Sequence, residues 1–330
     1  MVRFKMGPKM RLSQLIPVLV ILVCGASHCR ADGIPLYDGN NPRFVPVEDG
    51  SPDGTSSVSL MIAFHGLGSG PKDIMESTGL AELARDKKFI LAAPQGRGEL
   101  VKGWAAGECC LTDTTESAKD DDVKFVSKLI VDLKKKYPRI DLKKIYLVGF
   151  SNGAILAHRL AYQLEVPSGS SSTPNRIAGI ATLAGTLSLP IADRTPDVAP
   201  IPWIHFHGTK DTVINPTETR VVGGFRVSTL AETLTVLRDR NNVTGDPTKV
   251  TIEKVDDSTK VNVMEWTPAL TTPPSGARVK YYEIEGGGHT WPGHAPPSKI
   301  VAALKLIGKS LGLYTQDIKA EIEIAKFFSL

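Results

Sequence analysis

Residues 144–156 read "KIYLVGFSNGAIL", and how that stretch is taken decides the fold. Its first half is continuously apolar from Ile145 onward, which suits a strand covered on both faces better than a half-exposed one. Its second half opens a helix-forming segment, with only Gly149-Phe150-Ser151-Asn152-Gly153 at the join. A turn that tight holds the serine in strained backbone and lets neighbouring chain pass close to the glycines. It points the Ser151 hydroxyl out of the carboxyl end of the sheet, with the backbone N–H of Asn152 facing any oxyanion that develops there. Taken alone, Gly-x-Ser-x-Gly equally describes a strand-to-helix turn with a capping serine. Partners elsewhere must separate the two readings, since a hydroxyl needs a base and the base needs an orienting acid.

Outward from that turn, short apolar runs alternate with helix-period segments. Strands are predicted at 58–64, 89–93, 144–149, 177–185, 202–207 and 279–284. Helices are predicted near 74–86, 152–164, 228–241, 298–312 and 317–329. Another covers "DDDVKFVSKLIVDLKKK" (120–136), where Val123, Val126, Ile130 and Leu133 share a face and the acids and lysines at its two ends complement the helix dipole. Segments 166–175 and 190–200 read as irregular, and 242–277 as a connection before the last strand. The alternation predicts an α/β fold, a mostly parallel central sheet with helices on both faces, in one doubly wound domain over 32–330.

In folds built on such a turn the acid and then the histidine follow the serine, each in a loop after a strand. His289 and His294 are the histidines that lie far enough along. His289 comes directly after the strand at 279–284, in the glycine-rich loop "EGGGHTWPG" (285–293), whereas His294 sits among prolines and reads as a surface residue. His158 reads as a packed or capping histidine, and His205 and His207 as structural or supporting. For the acid, "HFHGTKDTVINP" (205–216) puts Asp211 just past the strand at 202–207. A turn-forming aspartate is the plainer reading of that residue, but its place between Ser151 and His289 favours the acid. Asp193 and Asp197 precede the strand, and Asp256 and Asp257 sit in a polar, hairpin-like segment. A second oxyanion donor is expected in "FHGLGSG" (64–70), with the N–H of Leu67 assigned, Gly66 as its rival and His65 supporting the loop.

Among the 330 residues, the first 31 stand apart: a basic start, the apolar run "LIPVLVILV" (15–23), then small residues. That order predicts a secretory signal peptide cut after Ala26 or, preferably, Ala31, and so a secreted or periplasmic protein and not a lipoprotein. The apolar run is shorter than the roughly 20 residues a membrane helix needs. Five of the 39 lysines and arginines lie in this segment and none of the 35 acids, so the remainder carries 34 bases against 35 acids, a net charge of −1. The apparent basicity therefore belongs to the export signal, and neither a nucleic-acid nor a membrane partner is expected after cleavage. Of Cys24, Cys29, Cys109 and Cys110, only the adjacent pair would remain, as a vicinal disulfide or as two buried thiols. No cysteine–histidine spacing suggests zinc, and no metal or organic cofactor is expected.

With these pieces in order, the chain resembles the secreted α/β-hydrolases grouped as polyhydroxybutyrate depolymerase-like and feruloyl esterase-like esterases. The matching stretches are "FHGLGSG", "PQGRG" with "GWAAGECC", "DDVKFV", "VGFSNGA", "HFHGTKD" and "GGGHTWPG", and the closing "DIKAEIEIAKFF" looks like the family's final helix. The resemblance implies an α/β-hydrolase fold, with Ser151 as nucleophile, Asp211 as acid and His289 as base. It places His65, Gly66, Trp104, Trp291 and the two cysteines at the substrate cleft, with a core role for Trp104 and an anchoring role for Trp291 as alternatives. The implied substrates are carboxylic esters, hydroxyalkanoate oligomers or feruloyl and acetyl esters of polysaccharide. A peptidase or acyltransferase using the same triad, and a binding protein that kept the fold without the chemistry, are the competing readings.

Overall fold

The computed structural model describes residues 33–38, 41–52, 54–98, 101–110, 121–166, 177–188, 199–220, 225–269, 276–306 and 308–330. The signal peptide read at 1–31 and most of the two irregular segments lie outside them. A central group of strands carries the fold: β3 (Val58–Phe64), β4 (Ile90–Ala92), β5 (Ile140–Phe150), β6 (Gly179–Leu183), β7 (Trp203–Gly208) and β10 (Val279–Glu285). All run parallel, in the order β4-β3-β5-β6-β7-β10. Antiparallel strands extend both edges, β2 (Asn41–Asp49) and β1 (Gly33–Asp38) beyond β4, and β9 (Lys260–Trp266) and β8 (Thr248–Ile252) beyond β10.

Alternation along β3 shows how two apolar layers grow from one run. Leu60, Ile62 and Phe64 pack with α3 (Asp121–Lys136) and α4 (Asn152–Gln163), while Met61 and Ala63 face α1 (Pro71–Glu76), α2 (Leu80–Lys87) and α7 (Ala320–Phe328). In α3, Val126, Leu129, Ile130 and Leu133 are fully buried. Each contributes about 1.5–3 kcal/mol relative to exposure. α5 (Leu230–Arg240) opens on a capping box between Thr229 and Glu232, and α6 (Ser298–Leu306) ends short of the predicted 312.

Three sequence readings are corrected. The helix expected over 74–86 is two helices, because Gly79 adopts φ +74° between them and the Thr78 hydroxyl bonds the Ile74 carbonyl. Segment 242–277 holds the β8–β9 hairpin and is not a plain connection; Val261 and Val263 alternate inward, and the turn spans the polar residues around Asp256 and Asp257. The dipole reading of Asp122, in the first turn of α3, is incomplete. Its buried carboxylate takes the Arg43 guanidinium at 2.6 Å and the Ala105 N–H at 2.6 Å. Among the described residues no helix is long and apolar enough to cross a membrane.

Candidate active site

Because the central strands run parallel, the loops after β3, β5, β7 and β10 all open at one rim of the sheet. Ser151 follows β5 with φ 56° and ψ −123°, left-handed backbone that a residue with a Cβ adopts only under strain. Close approach explains the flanking glycines: a Cβ on Gly149 would lie 2.2 Å from the Gly153 carbonyl oxygen, and one on Gly153 only 2.1 Å from that of Phe64. The serine does not cap α4. Its Oγ instead lies 2.8 Å from His289 Nε2, and His289 Nδ1 lies 2.7 Å from Asp211 Oδ2. Side chains 138 and 78 residues apart in sequence thus form one hydrogen-bonded line.

An ionised carboxylate only accepts, so the line has one polarity. His289 donates Nδ1–H to Asp211 and accepts the Ser151 hydroxyl proton at Nε2. The other Asp211 oxygen accepts from the Val213 and Ile214 N–H groups at 2.8 and 2.9 Å. Burial pushes the Asp211 carboxyl upward, but the pull of His289 and of the backbone amide outweighs it, and the acid sits below its ordinary value. The His289 N–H on the main chain donates to the Leu311 carbonyl, and the ring packs 5.1 Å from that of Phe150.

On the opposite side of Ser151, the loop after β3 comes so near that a Cβ on Gly66 would lie 3.2 Å from the serine Cβ. Leu67 is exposed, and neither its N–H nor that of Asn152 has an acceptor among the described residues. Trp104 joins this loop to the turn at Ser151. Its indole N–H donates to the His65 carbonyl at 2.9 Å, and its own N–H and carbonyl are clasped by the Asn152 side chain at 2.8 and 3.1 Å. The expected place of Trp104 at the cleft is therefore corrected: its side chain is fully buried, edge-on to Phe64, with the indole N–H turned inward to a main-chain carbonyl.

His65 is likewise buried, accepting from the Gly96 N–H at 2.9 Å and donating to the Gly66 carbonyl at 2.8 Å, so it supports the loop and does not reach the cleft. Trp291 is buried beside Phe150, its indole 3.5 Å from Glu321. His294 is not a free surface residue but lies 3.0 Å from the Glu321 carboxylate. Cys109 and Cys110 form a vicinal disulfide, Cys109 buried and Cys110 half-buried. Sequence reasoning missed Phe150 as the ring beside the imidazole and the Asn152 side chain as a clasp. Both lie inside the Gly-x-Ser-x-Gly stretch, which was the signal available.

Burial lowers several imidazoles below the ordinary value, His65 to about 4 and His158 to about 3 among them. Free imidazole titrates near 6.5, so between pH 6.5 and 4 the unfolded chain binds protons that the folded chain refuses. Stability should be full above about pH 6.5 and decline as the pH falls through that window, by up to about 1.4 kcal/mol per pH unit for each imidazole. Urea midpoints between pH 7 and 4.5 check this. His158→Gln should flatten the decline, and an unchanged slope would show that His158 titrates normally.

A family profile described as phospholipase/carboxylesterase matches residues 52–226. The protein described as "Putative esterase NocK" from Nocardia uniformis subsp. tsuyamanensis is 26% identical over 256 residues, 75% of this chain and 70% of its own length. "Bifunctional acetylxylan esterase/xylanase XynS20E" from Neocallimastix patriciarum is 25% identical over 231 residues, 70% of this chain, which spans only 28% of that protein. Among solved structures, the acetyl xylan esterase from Aspergillus awamori aligns at a TM-score of 0.49 and 12% identity, covering 84% of this chain and 98% of its own.

Proposed function

Because the chain belongs to the phospholipase/carboxylesterase family of α/β-hydrolases, we propose that it is an exported serine esterase that removes short acyl groups, acetyl first, from a polysaccharide. The reading rests on the unbroken line from the Ser151 hydroxyl through His289 to Asp211. Ser151 Oγ attacks the ester carbonyl as its proton passes to His289 Nε2. The N–H groups of Leu67 and Asn152 hold the tetrahedral oxyanion. Collapse breaks the ester C–O bond, and the alcohol leaves with the proton from His289, giving an acyl-Ser151. Water then attacks this ester, its proton taken by His289 and returned to Ser151 Oγ as the carboxylic acid departs. Asp211 keeps Nδ1 protonated throughout and offsets the charge of the imidazolium.

Acetyl esters of xylan are favoured as substrate by the acetylxylan esterase named among the relatives. Hydroxyalkanoate oligomers and feruloyl esters, the substrates implied by the motif resemblance, form the wider class. A fluorophosphonate probe applied to protein recovered from the culture medium tests the reading. Ser151 should be labelled, Ser151→Ala should not, and the mass of the labelled chain should correspond to cleavage after Ala31. A panel of p-nitrophenyl acetate, methyl ferulate, hydroxybutyrate oligomers, acetylated xylan and a peptide amide then ranks substrates. Folded protein that takes no label would overturn the mechanism, and a chain that cleaves only the amide would make it a peptidase.

A further inference from the structure

Two buried histidines that exchange no proton in this hydrolysis stand directly behind its acid. Trp203, His205 and His207 recur at every second residue of β7 and so share one face, and Thr182 lies opposite His205 on β6. Trp203 Nε1 is 3.1 Å from Thr182 Oγ1, and that oxygen is 2.8 Å from His205 Nδ1. His205 Nε2 is 3.3 Å from His207 Nδ1, and His207 Nε2 is 2.8 Å from the Ile214 carbonyl. A peptide carbonyl can only accept and a neutral imidazole carries one N–H, so with both rings neutral the Ile214 end fixes every bond back to Thr182. The Thr182 hydroxyl donates to His205 Nδ1, and both imidazoles are neutral with their proton on Nε2. Burial lowers the pKa of each, in keeping with that assignment.

The series ends where the acid is held. The Ile214 carbonyl takes the His207 proton, and the Ile214 N–H is one of the two donors that fix Asp211 Oδ1. His207 Nε2 also passes 3.5 Å from Asp211 Oδ2. Thr212, between Asp211 and Ile214, is exposed, so this short loop is anchored from its inner side. We propose that His207 is a positioning residue for Asp211, its tautomer set by His205, Thr182 and Trp203 so that an N–H is always offered to the acid loop. The inference rests on the reading of Asp211 and His289 as acid and base. Neutrality matters here: an uncharged donor holds the carboxylate's geometry without competing for the negative charge that His289 needs.

The test compares His207→Leu, His207→Gln and His207→Asn by kcat and KM on p-nitrophenyl acetate. It adds the low-field NMR signal and solvent exchange of the His289 Nδ1 proton, recorded also in the Ser151→Ala background. His207→Leu should lower kcat on the order of 10- to 100-fold, as displaced catalytic groups do, with KM little changed and a faster-exchanging signal. His207→Gln, whose amide reaches the place of Nε2, should recover most of both. His207→Asn, whose amide reaches only as far as Nδ1, should not. Wild-type kcat and an unchanged signal in folded His207→Leu would overturn the proposal. So would equal effects of Gln and Asn, a comparison that stands even if the leucine variant does not fold. If the wild type hydrolyses no ester the esterase reading fails, while the NMR comparison in Ser151→Ala protein still decides the positioning role.

Discussion

His289→Ala should lower kcat on p-nitrophenyl acetate by about 10,000-fold or more, with KM nearly unchanged, as loss of the base does where hydroxyl and imidazole act as a unit. The magnitude follows from the weakness of a neutral serine hydroxyl, which His289, alone among the described residues, is placed to deprotonate at 2.8 Å. It should not grow further in the double variant with Ser151→Ala, because removing either partner already disables the same step. Asp211→Asn should also fall steeply. An amide in place of the carboxylate favours the tautomer that leaves Nε2 protonated and unable to accept from the serine. Steady-state rates for the single and double variants measure this. A tenfold loss, or additive losses, would mean that hydroxyl and imidazole do not work together.

Gly153→Ala should cost at least about 3 kcal/mol, the upper range for overpacking, or prevent folding altogether. Gly153 lies in α4, where alanine is intrinsically better than glycine by about 1 kcal/mol, so propensity argues the other way. What decides is the Phe64 carbonyl oxygen, 2.1 Å from the new methyl carbon and fixed in β3 between two paired strands. Main chain on both sides leaves nothing to rotate aside. Gly245→Ala is the control: its φ of +82° strains any side chain, yet nothing lies within 4 Å, and its cost should stay near 1 kcal/mol. Urea midpoints of the two variants separate these cases, and equal losses would refute close approach as the reason for glycine at 153.

Strands buried on both faces were legible because nothing interrupts their apolar run, and β3 spans the predicted 58–64. The edges were harder. β8 exposes four of its five residues, and its sequence, "TKVTI", carries no core signal until β9 is paired beside it. Ser151, Asp211 and His289 could be read because each follows a strand whose polarity the sequence announces. Trp104 could not, since its burial depends on which way the loop after β4 docks. That is settled by Asp122, Asn152 and the His65 carbonyl, residues remote in the chain. The break between α1 and α2 was signalled by Ser77-Thr78-Gly79, and apolar periodicity on either side masked it.

The span from Ser151 to His289 also sets when in the life of a molecule reactivity can arise. A nascent chain or proteolytic fragment that stops before β10 carries the Gly-x-Ser-x-Gly sequence and Asp211 but lacks His289. Bringing together groups that distant in sequence carries a loop-closure entropy that must be met before the contact rewards it. Under the proposed mechanism such a chain is inert, and hydrolytic competence arrives only when the loop after β10 brings His289 to Ser151.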